Sequence, residues 1–493
     1  MERGCGVLMH ISSLPSRYGI GTMGKSAYKF VDFLAKAGQR YWQILPVSPT
    51  GYGDSPYQSY STFAGNPYFI DLEMLAQDGA LDLEELSHIN WGNDNCAVDY
   101  EKLYNNRFTV LKSAYTHDRI RLQNKLAEFR ARESYWIESY SMFMALKSEN
   151  NMKPYWEWEE DIKLKTPDAM ASAYQRLEFE IGFWVYVQYK FFEQWCKLKA
   201  YANSKNIKII GDIPIYVARD SADAWAHPEI LHLDSDCRPI SVAGCPPDYF
   251  SPKGQLWGNP IYNWDYLKYT SFEWWIRRIK AMFNICDIVR IDHFRAFSAY
   301  YAIPFGDEDA VSGKWVEGPG KAFFDAIKNY VSQNPAIIAE DLGTIDDNVR
   351  ELLKYTGFPG MKVLQFAFNP DGSSEYLPHK YDKNCVSYIG THDNDTTCSW
   401  FANESEECRK FIRKYIHLSK DEDINWALIR TLLSSVSDVS IITMQDILGL
   451  DSSSRMNTPA KPEGNWQWRL GKTELLTDEL AETMNELTKT YGR

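Results

Sequence analysis

Several absences narrow the class of this chain before any residue is singled out. Its nine cysteines stand apart at Cys5, Cys96, Cys196, Cys237, Cys245, Cys286, Cys385, Cys398 and Cys408, with no CxxC or other metal-ligand spacing. A chain of this length needs no disulfide staples, so they read as free thiols of a reducing compartment. No stretch approaches the ~20 apolar residues of a membrane helix. The start, Met1-Glu2-Arg3-Gly4, has no signal-peptide pattern, since Val7-Leu8-Met9 is too short for its apolar region. These features predict a cytoplasmic protein. Positive charge is scarce: 53 Lys and Arg face 66 Asp and Glu, a net of −13. That argues against nucleic acid or an anionic membrane surface as the main partner and suits neutral substrates. No GxGxxG or GxxxxGK[ST] follows the first strand-like stretch, so a doubly wound nucleotide fold lacks its phosphate turn.

Aromatic residues are abundant instead, at 15% with 17 Trp and 31 Tyr. They could pack long helices, or offer flat faces to sugar rings; composition leaves both open.

Short apolar stretches recur along the chain, beginning near Val7, Tyr41, Ile207, Asp287, Ala336, Met361, Val386 and Val439. Most are followed by helical spacing. Within 25–37, for example, Tyr28, Phe30, Val31, Phe33 and Leu34 are apolar and Gly38 suits a C-cap. Strands alternating with helices imply a parallel sheet, and eight such units predict a closed (β/α)₈ TIM barrel. The whole of 1–493 reads as one catalytic barrel domain. Polar helical patterns over about 72–200 read as a helical insertion. Two long loops, 48–66 and about 241–262, are long enough to be functional, and the second is expected to cover the site.

Three of the predicted strands end in a carboxylate: Asp292, Glu340 and Asp393. One such acid could simply cap a helix, as Asp346 is expected to do. Three at one barrel mouth point to chemistry, because barrels of this kind react at the C-terminal ends of their strands. Asp292, flanked by Arg290 and Arg295, suits an ionised nucleophile. Glu340, after Ile337-Ile338-Ala339, suits an acid whose pKa is raised by apolar surroundings. Paired carboxylates of this kind cleave glycosidic bonds through an oxocarbenium-like transition state.

Motifs running nearly end to end carry a resemblance. They include His10-Ile11-Ser12-Ser13-Leu14-Pro15, Trp42-Gln43-Ile44-Leu45-Pro46, Ser55-Pro56-Tyr57, Gly211-Asp212-Ile213-Pro214 and Pro246-Pro247-Asp248-Tyr249-Phe250. They continue with Gly254-Gln255-Leu256-Trp257-Gly258-Asn259-Pro260, Arg290-Ile291-Asp292-His293-Phe294-Arg295, Ala339-Glu340-Asp341-Leu342-Gly343, Thr391-His392-Asp393-Asn394, Arg455-Met456-Asn457-Thr458-Pro459 and Gly464-Asn465-Trp466. The chain resembles the amylomaltases, the 4-α-glucanotransferase or disproportionating-enzyme family (glycoside hydrolase family 77), relatives of the α-amylases. The resemblance implies Asp292 as nucleophile, Glu340 as general acid/base and Asp393 as the acid that grips and distorts the cleaved sugar ring. It implies substrate-binding roles for Arg290 and His392 at that ring and for Asp212, which falls in a motif shared with the α-amylases and shapes the site. Asp248, Gln255 and Trp257 fall on the covering loop, Ser55 and Tyr57 on the acceptor side, and Asn465 on the far rim. The implied partners are maltooligosaccharides and other α-1,4-glucans, with no nucleic acid, membrane or obligate protein partner. The chemistry calls for no metal or organic cofactor. Two positions depart from the family pattern: Ala296 and Ala460 stand where Gly is usual. An α-amylase-type hydrolase is the first alternative, and a non-catalytic glucan-binding barrel the second.

Overall fold

In the computed structural model, residues 1–51, 53–247, 251–459, 461 and 463–493 are described. Twelve strands occur among them: β1 Gly4–Leu8, β2 Tyr41–Gln43, β3 Lys208–Ile213, β4 Ser241–Cys245, β5 Gln255–Pro260, β6 Ile288–Ile291, β7 Ala299–Pro304, β8 Lys314–Glu317, β9 Ile337–Ala339, β10 Gly360–Val363, β11 Cys385–Tyr388 and β12 Val439–Thr443. Eight form one parallel sheet in the order β10-β11-β12-β1-β2-β3-β6-β9. Its two ends meet where the Ala339 N–H donates to the Pro359 carbonyl at 3.0 Å, which closes the ring. The eight strands expected from sequence are these eight, and the fold is a (β/α)₈ barrel.

The pleat explains how chemistry reaches the barrel mouth. Alternate residues face in, and Leu8, Tyr41, Ile210, Ile288, Ile338, Met361, Val363, Val386, Tyr388, Val439 and Ile441 fill the interior. Their neighbours Val7, Trp42, Ile209, Val289, Ile337 and Ile442 join the core that packs the surrounding helices. Two residues beyond Ile210 is Asp212, two and four beyond Ile288 are Arg290 and Asp292, and two beyond Ile338 is Glu340. The same alternation that fills the barrel therefore presents these polar groups one layer higher. Gly211 has a definite reason to be glycine. A Cβ there would lie 2.8 Å from the Cys286 Sγ and 2.9 Å from the Met282 Cε, so its absence lets the helix Glu273–Ile285 pack directly on β3.

Between β2 and β3 the chain is mostly helical, and the longest helix, Glu178–Ser204, lies against the rest. Two glutamines on it bracket the loop that follows β2. Gln188 accepts from the Gly65 N–H at 2.7 Å and donates to the Gly65 carbonyl at 2.9 Å. Gln194 does the same with Asp71, at 2.7 and 3.1 Å. Much of the aromatic excess is spent in this packing: Phe63 meets Tyr135, Trp136 and Trp274, and Trp42, Trp195 and Trp275 are fully buried.

The stretch 241–262, read from sequence as a loop, contains a β-hairpin. Strands β4 and β5 pair antiparallel and join β7 and β8 in a second sheet, ordered β5-β4-β7-β8. Its residues gave no strand signal because Gly244, Gly258 and Pro260 interrupt them and their partner β7 lies on the far side of β6.

Candidate active site

Asp292, Arg290 and Asp212 form one chain of contacts. Arg290 donates through Nη1 to both Asp212 oxygens at 2.7 Å and lies 3.0 Å through Nη2 from the Asp292 Oδ1. Its Nε points at the Met361 Sδ, 3.4 Å away. Asp212 and Arg290 are buried, at 2% and 4% exposure, whereas the Asp292 side chain is 31% exposed and open to the mouth. Burial works against the charge on Arg290, but Asp212 and then Asp292 overcome it and hold the guanidinium cationic. Tyr57 donates its phenol to the Asp212 Oδ2 at 2.8 Å. Burial, followed by the Asp212 charge, pushes that phenol far up, so it remains a donor. Asp212 thus sits beneath the site with both oxygens occupied.

Glu340 faces Asp292 from the next strand. Two backbone bonds weld the two turns, Glu340 N–H to the Ile291 carbonyl and Phe294 N–H to the Glu340 carbonyl, and a third, Asp292 N–H to the Ile213 carbonyl, ties the Asp292 turn to the end of β3, each at 3.0 Å. The Glu340 carboxyl accepts from the His293 N–H at 2.7 Å and the Leu342 N–H at 2.8 Å. Those bonds favour the ionised form, yet burial, reinforced by the Asp292 charge, pushes the Glu340 pKa up to about 8. The His293 backbone is left-handed at this turn, with φ 52°, a conformation uncommon for a residue other than glycine. Ala296, where a glycine was expected, lies in the short 3₁₀ turn Phe294–Phe297 and needs no left-handed backbone. The demanding position is His293, three residues earlier.

Asp393 stands on the turn after β11. Its Oδ2 is 3.3 Å from the His392 Nε2 and its Oδ1 accepts from the Asn457 Nδ2 at 2.6 Å. Arg455 donates through Nη2 to the Asp393 carbonyl. The Arg455 to Pro459 motif carries no sign of a role for Arg455 or Asn457, because only the fold brings residues some sixty positions apart into contact.

Aromatic rings ring this cluster. Tyr57 stacks on His392 at 5.2 Å, and Trp466 leans on both at 5.8 and 5.9 Å. Trp257, on β5, meets the His293 ring edge-on at 4.8 Å and is steadied by its Nε1–H donating to the Gln255 Oε1 at 3.0 Å. Ser55 accepts from the Tyr57 N–H at 3.2 Å and so shapes the turn that presents Tyr57. The Asn465 side chain accepts from the Thr458 N–H and donates to the Lys461 carbonyl, both at 2.8 Å, and is used within its own loop. His10 accepts from the Leu45 N–H at 3.2 Å and is a packing group. Asp248 and Ala460 lie outside the described residues. Two cavities of about 180 and 240 Å³ lie among the helices rather than at the mouth, and none of the three strand-end acids lines them.

A family model described as 4-alpha-glucanotransferase matches residues 9–474. A 4-alpha-glucanotransferase of Clostridium butyricum is 49% identical over 488 residues, covering 98% of this chain and 100% of that protein. One from Thermus thermophilus is 44% identical, covering 96% of each. Among solved structures, the amylomaltase from Streptococcus agalactiae in complex with acarbose is 43% identical and covers 100% of both chains with a TM-score of 0.98.

Proposed function

The chain belongs to the 4-alpha-glucanotransferase family, glycoside hydrolase family 77, and on that premise we propose how its barrel mouth moves an α-1,4-glucan segment from a donor to the 4-hydroxyl of an acceptor. The observation that carries the reading is the unequal acid pair. Glu340 holds its proton near neutrality because it is desolvated and faces Asp292, while Asp292 is seated on Arg290.

In this reading Glu340 protonates the oxygen of the bond being cleaved and Asp292 attacks the anomeric carbon, giving a covalent glycosyl-aspartate. Esterification removes the Asp292 charge, which is the second cause of the raised Glu340 pKa. The Glu340 pKa then falls, and the carboxylate left after the first step can take the proton of the acceptor hydroxyl. Asp393 grips hydroxyls of the ring at the point of cleavage, with His392 beside it. Arg290 orients Asp292, and Asp212 anchors Arg290 and Tyr57 from below. Tyr57, on its Ser55 turn, and Trp257, beside Gln255, offer faces to the acceptor and donor sugars, Asn465 belongs to the rim, and the family resemblance assigns Asp248 to substrate binding. The hairpin within 241–262 covers the cleft, and the helices of about 72–200 form an insertion beside it. Closing aromatic surfaces over the ester would keep water from it and leave it for a sugar hydroxyl. The buried thiols Cys5, Cys286, Cys385 and Cys408 fit a reducing, cytoplasmic setting.

Incubation with maltotriose tests the reading. A ladder of longer maltooligosaccharides together with glucose is expected; glucose and maltose alone would mean hydrolysis. Asp292→Asn is expected to abolish the ladder, and normal turnover by that variant would overturn the assignment. Tyr57→Ala is expected to raise the share of hydrolysis over transfer.

A further inference from the structure

Asp393 differs from the other two acids in how it is held. Asp292 rests on a buried arginine, and Glu340 accepts two backbone N–H groups. The Asp393 side chain is 44% exposed, and its described contacts through the carboxylate are to two side chains, His392 on Oδ2 and Asn457 on Oδ1. A short, half-exposed carboxylate rotates freely about its terminal torsion unless both oxygens are engaged. At 2.6 Å, the contact from Asn457 is the tighter of the two.

Asn457 is itself built into place. Its backbone N–H donates to the His392 carbonyl at 3.1 Å and its carbonyl accepts from the Arg455 Nε at 2.8 Å. Arg455 completes the circuit by donating to the Asp393 carbonyl. Beyond it, the Trp466 N–H donates to the Met456 carbonyl at 2.7 Å, and the Thr458 N–H is taken by Asn465. The loop after β12 is thus fastened to the turn after β11 by main-chain and arginine bonds that do not involve the Asn457 side chain. That amide is left with one described partner, Asp393.

We propose that Asn457 is a positioning residue, whose amide donor fixes the rotation of the Asp393 carboxylate so that its other oxygen is presented to the sugar ring beside Asp292. This rests on the reading of Asp393 given above and extends it to a residue outside the three acids. An aspartate at 457 would have nearly the same shape but no N–H. Ionised, it would set a second negative charge against the Asp393 Oδ1. Protonated, it would donate an O–H to the same oxygen and restore the contact. The charged and titratable groups facing Asp393 are His392 on its own turn, Arg455 on the loop after β12, and Tyr57, whose phenol feels the Asp393 charge. All of them remain in the variant, so they contribute equally to it and to the parent.

The experiment compares kcat and KM on maltotriose for the parent, Asn457→Asp, Asn457→Ala and Asp393→Asn between pH 5 and 7.5. A misplaced catalytic group costs up to about 100-fold. Asn457→Asp is therefore expected to lose roughly 10- to 100-fold in kcat at pH 7.5, with KM nearly unchanged. Its rate relative to the parent should climb several-fold toward pH 5. Asn457→Ala should lose kcat to a similar degree with no such recovery. Parental kcat in both Asn457 variants, or a variant-to-parent ratio for Asn457→Asp that is flat with pH, overturns the proposal while an inactive Asp393→Asn leaves the reading of the acid standing. Normal turnover by Asp393→Asn overturns both.

Discussion

Glu340 shows how function and stability oppose each other at a single residue. Its pKa is raised from 4.5 to about 8, with burial the first cause and Asp292 the second. With Glu340 as the proposed general acid, the form that reaction calls for is present below pH ~8, and kcat/KM is expected to fall as pH rises through that value. The sign for stability follows from linkage. Below pH 4.5 folded and unfolded chains both hold the proton. Between 4.5 and about 8 the unfolded chain releases it while the folded chain retains it, so folding weakens as pH rises through that window. Glu340→Gln removes the penalty. We expect it to be more stable than the parent at pH 8, by on the order of 2 kcal/mol, with the gap closing toward pH 4.5. The same variant should lose about 10²- to 10⁴-fold in transfer. Denaturant melts at the two pH values, run beside the maltotriose assay, check both outcomes; a parent that gains stability between pH 5 and 8 relative to the variant would contradict the assignment.

At the scale of elements, the β4–β5 hairpin carries the test. Trp257 reaches the site only because β5 is held by β4, and β4 by β7. Asn259, on β5, ties the hairpin to its surroundings by donating to the Val217 carbonyl at 2.9 Å and accepting from the Gln58 Nε2 at 3.0 Å. Trp257→Ala should then leave the hairpin seated and remove one aromatic face. We expect KM for maltoheptaose to rise about tenfold, corresponding to about 1.4 kcal/mol of lost stacking. An unchanged KM would mean that the ring only packs against His293. Helix ends were easier to foresee than this hairpin. Asp346 was expected as an N-cap and does accept from the Val349 N–H at 3.1 Å, because capping depends on residues three apart in sequence.

Across the whole molecule, the two ends of the barrel divide the work. The mouth gathers the acids, while the opposite end is fastened by Arg493. That side chain donates to the carbonyls of Leu433, Gly4, Ser437 and Ser435 at 2.8 to 3.2 Å. It joins the start of β1 to the chain entering β12. Arg493→Ala strips partners from buried carbonyls and is expected to cost about 2–4 kcal/mol, read as a lowered Tm. The rate on maltotriose at 25 °C should stay at the parental value, because chemistry lies at the other end of the strands. A loss of rate without a loss of Tm would show that the two ends are coupled.

The amino-acid order alone determined the eight barrel strands and the three acids that end three of them. Both are local signals: an apolar run with a period of two, and a charge where that run stops. It also determined the family, through motifs spread over most of the length. Only the tertiary structure decided what each acid rests on. Arg290 bridging Asp212 and Asp292, the His293 N–H on Glu340, and Asn457 on Asp393 are contacts between turns of different strands, and a linear pattern does not encode them. The hairpin was hidden for the same reason, since its strands are specified by a partner beyond β6 rather than by their own residues. Ala296 was a departure in the sequence and proved to sit in an ordinary helical turn, while the left-handed backbone that shapes the site belongs to His293. Backbone handedness is set by the bonds the turn must make to its neighbours, and those neighbours exist only once the barrel has closed.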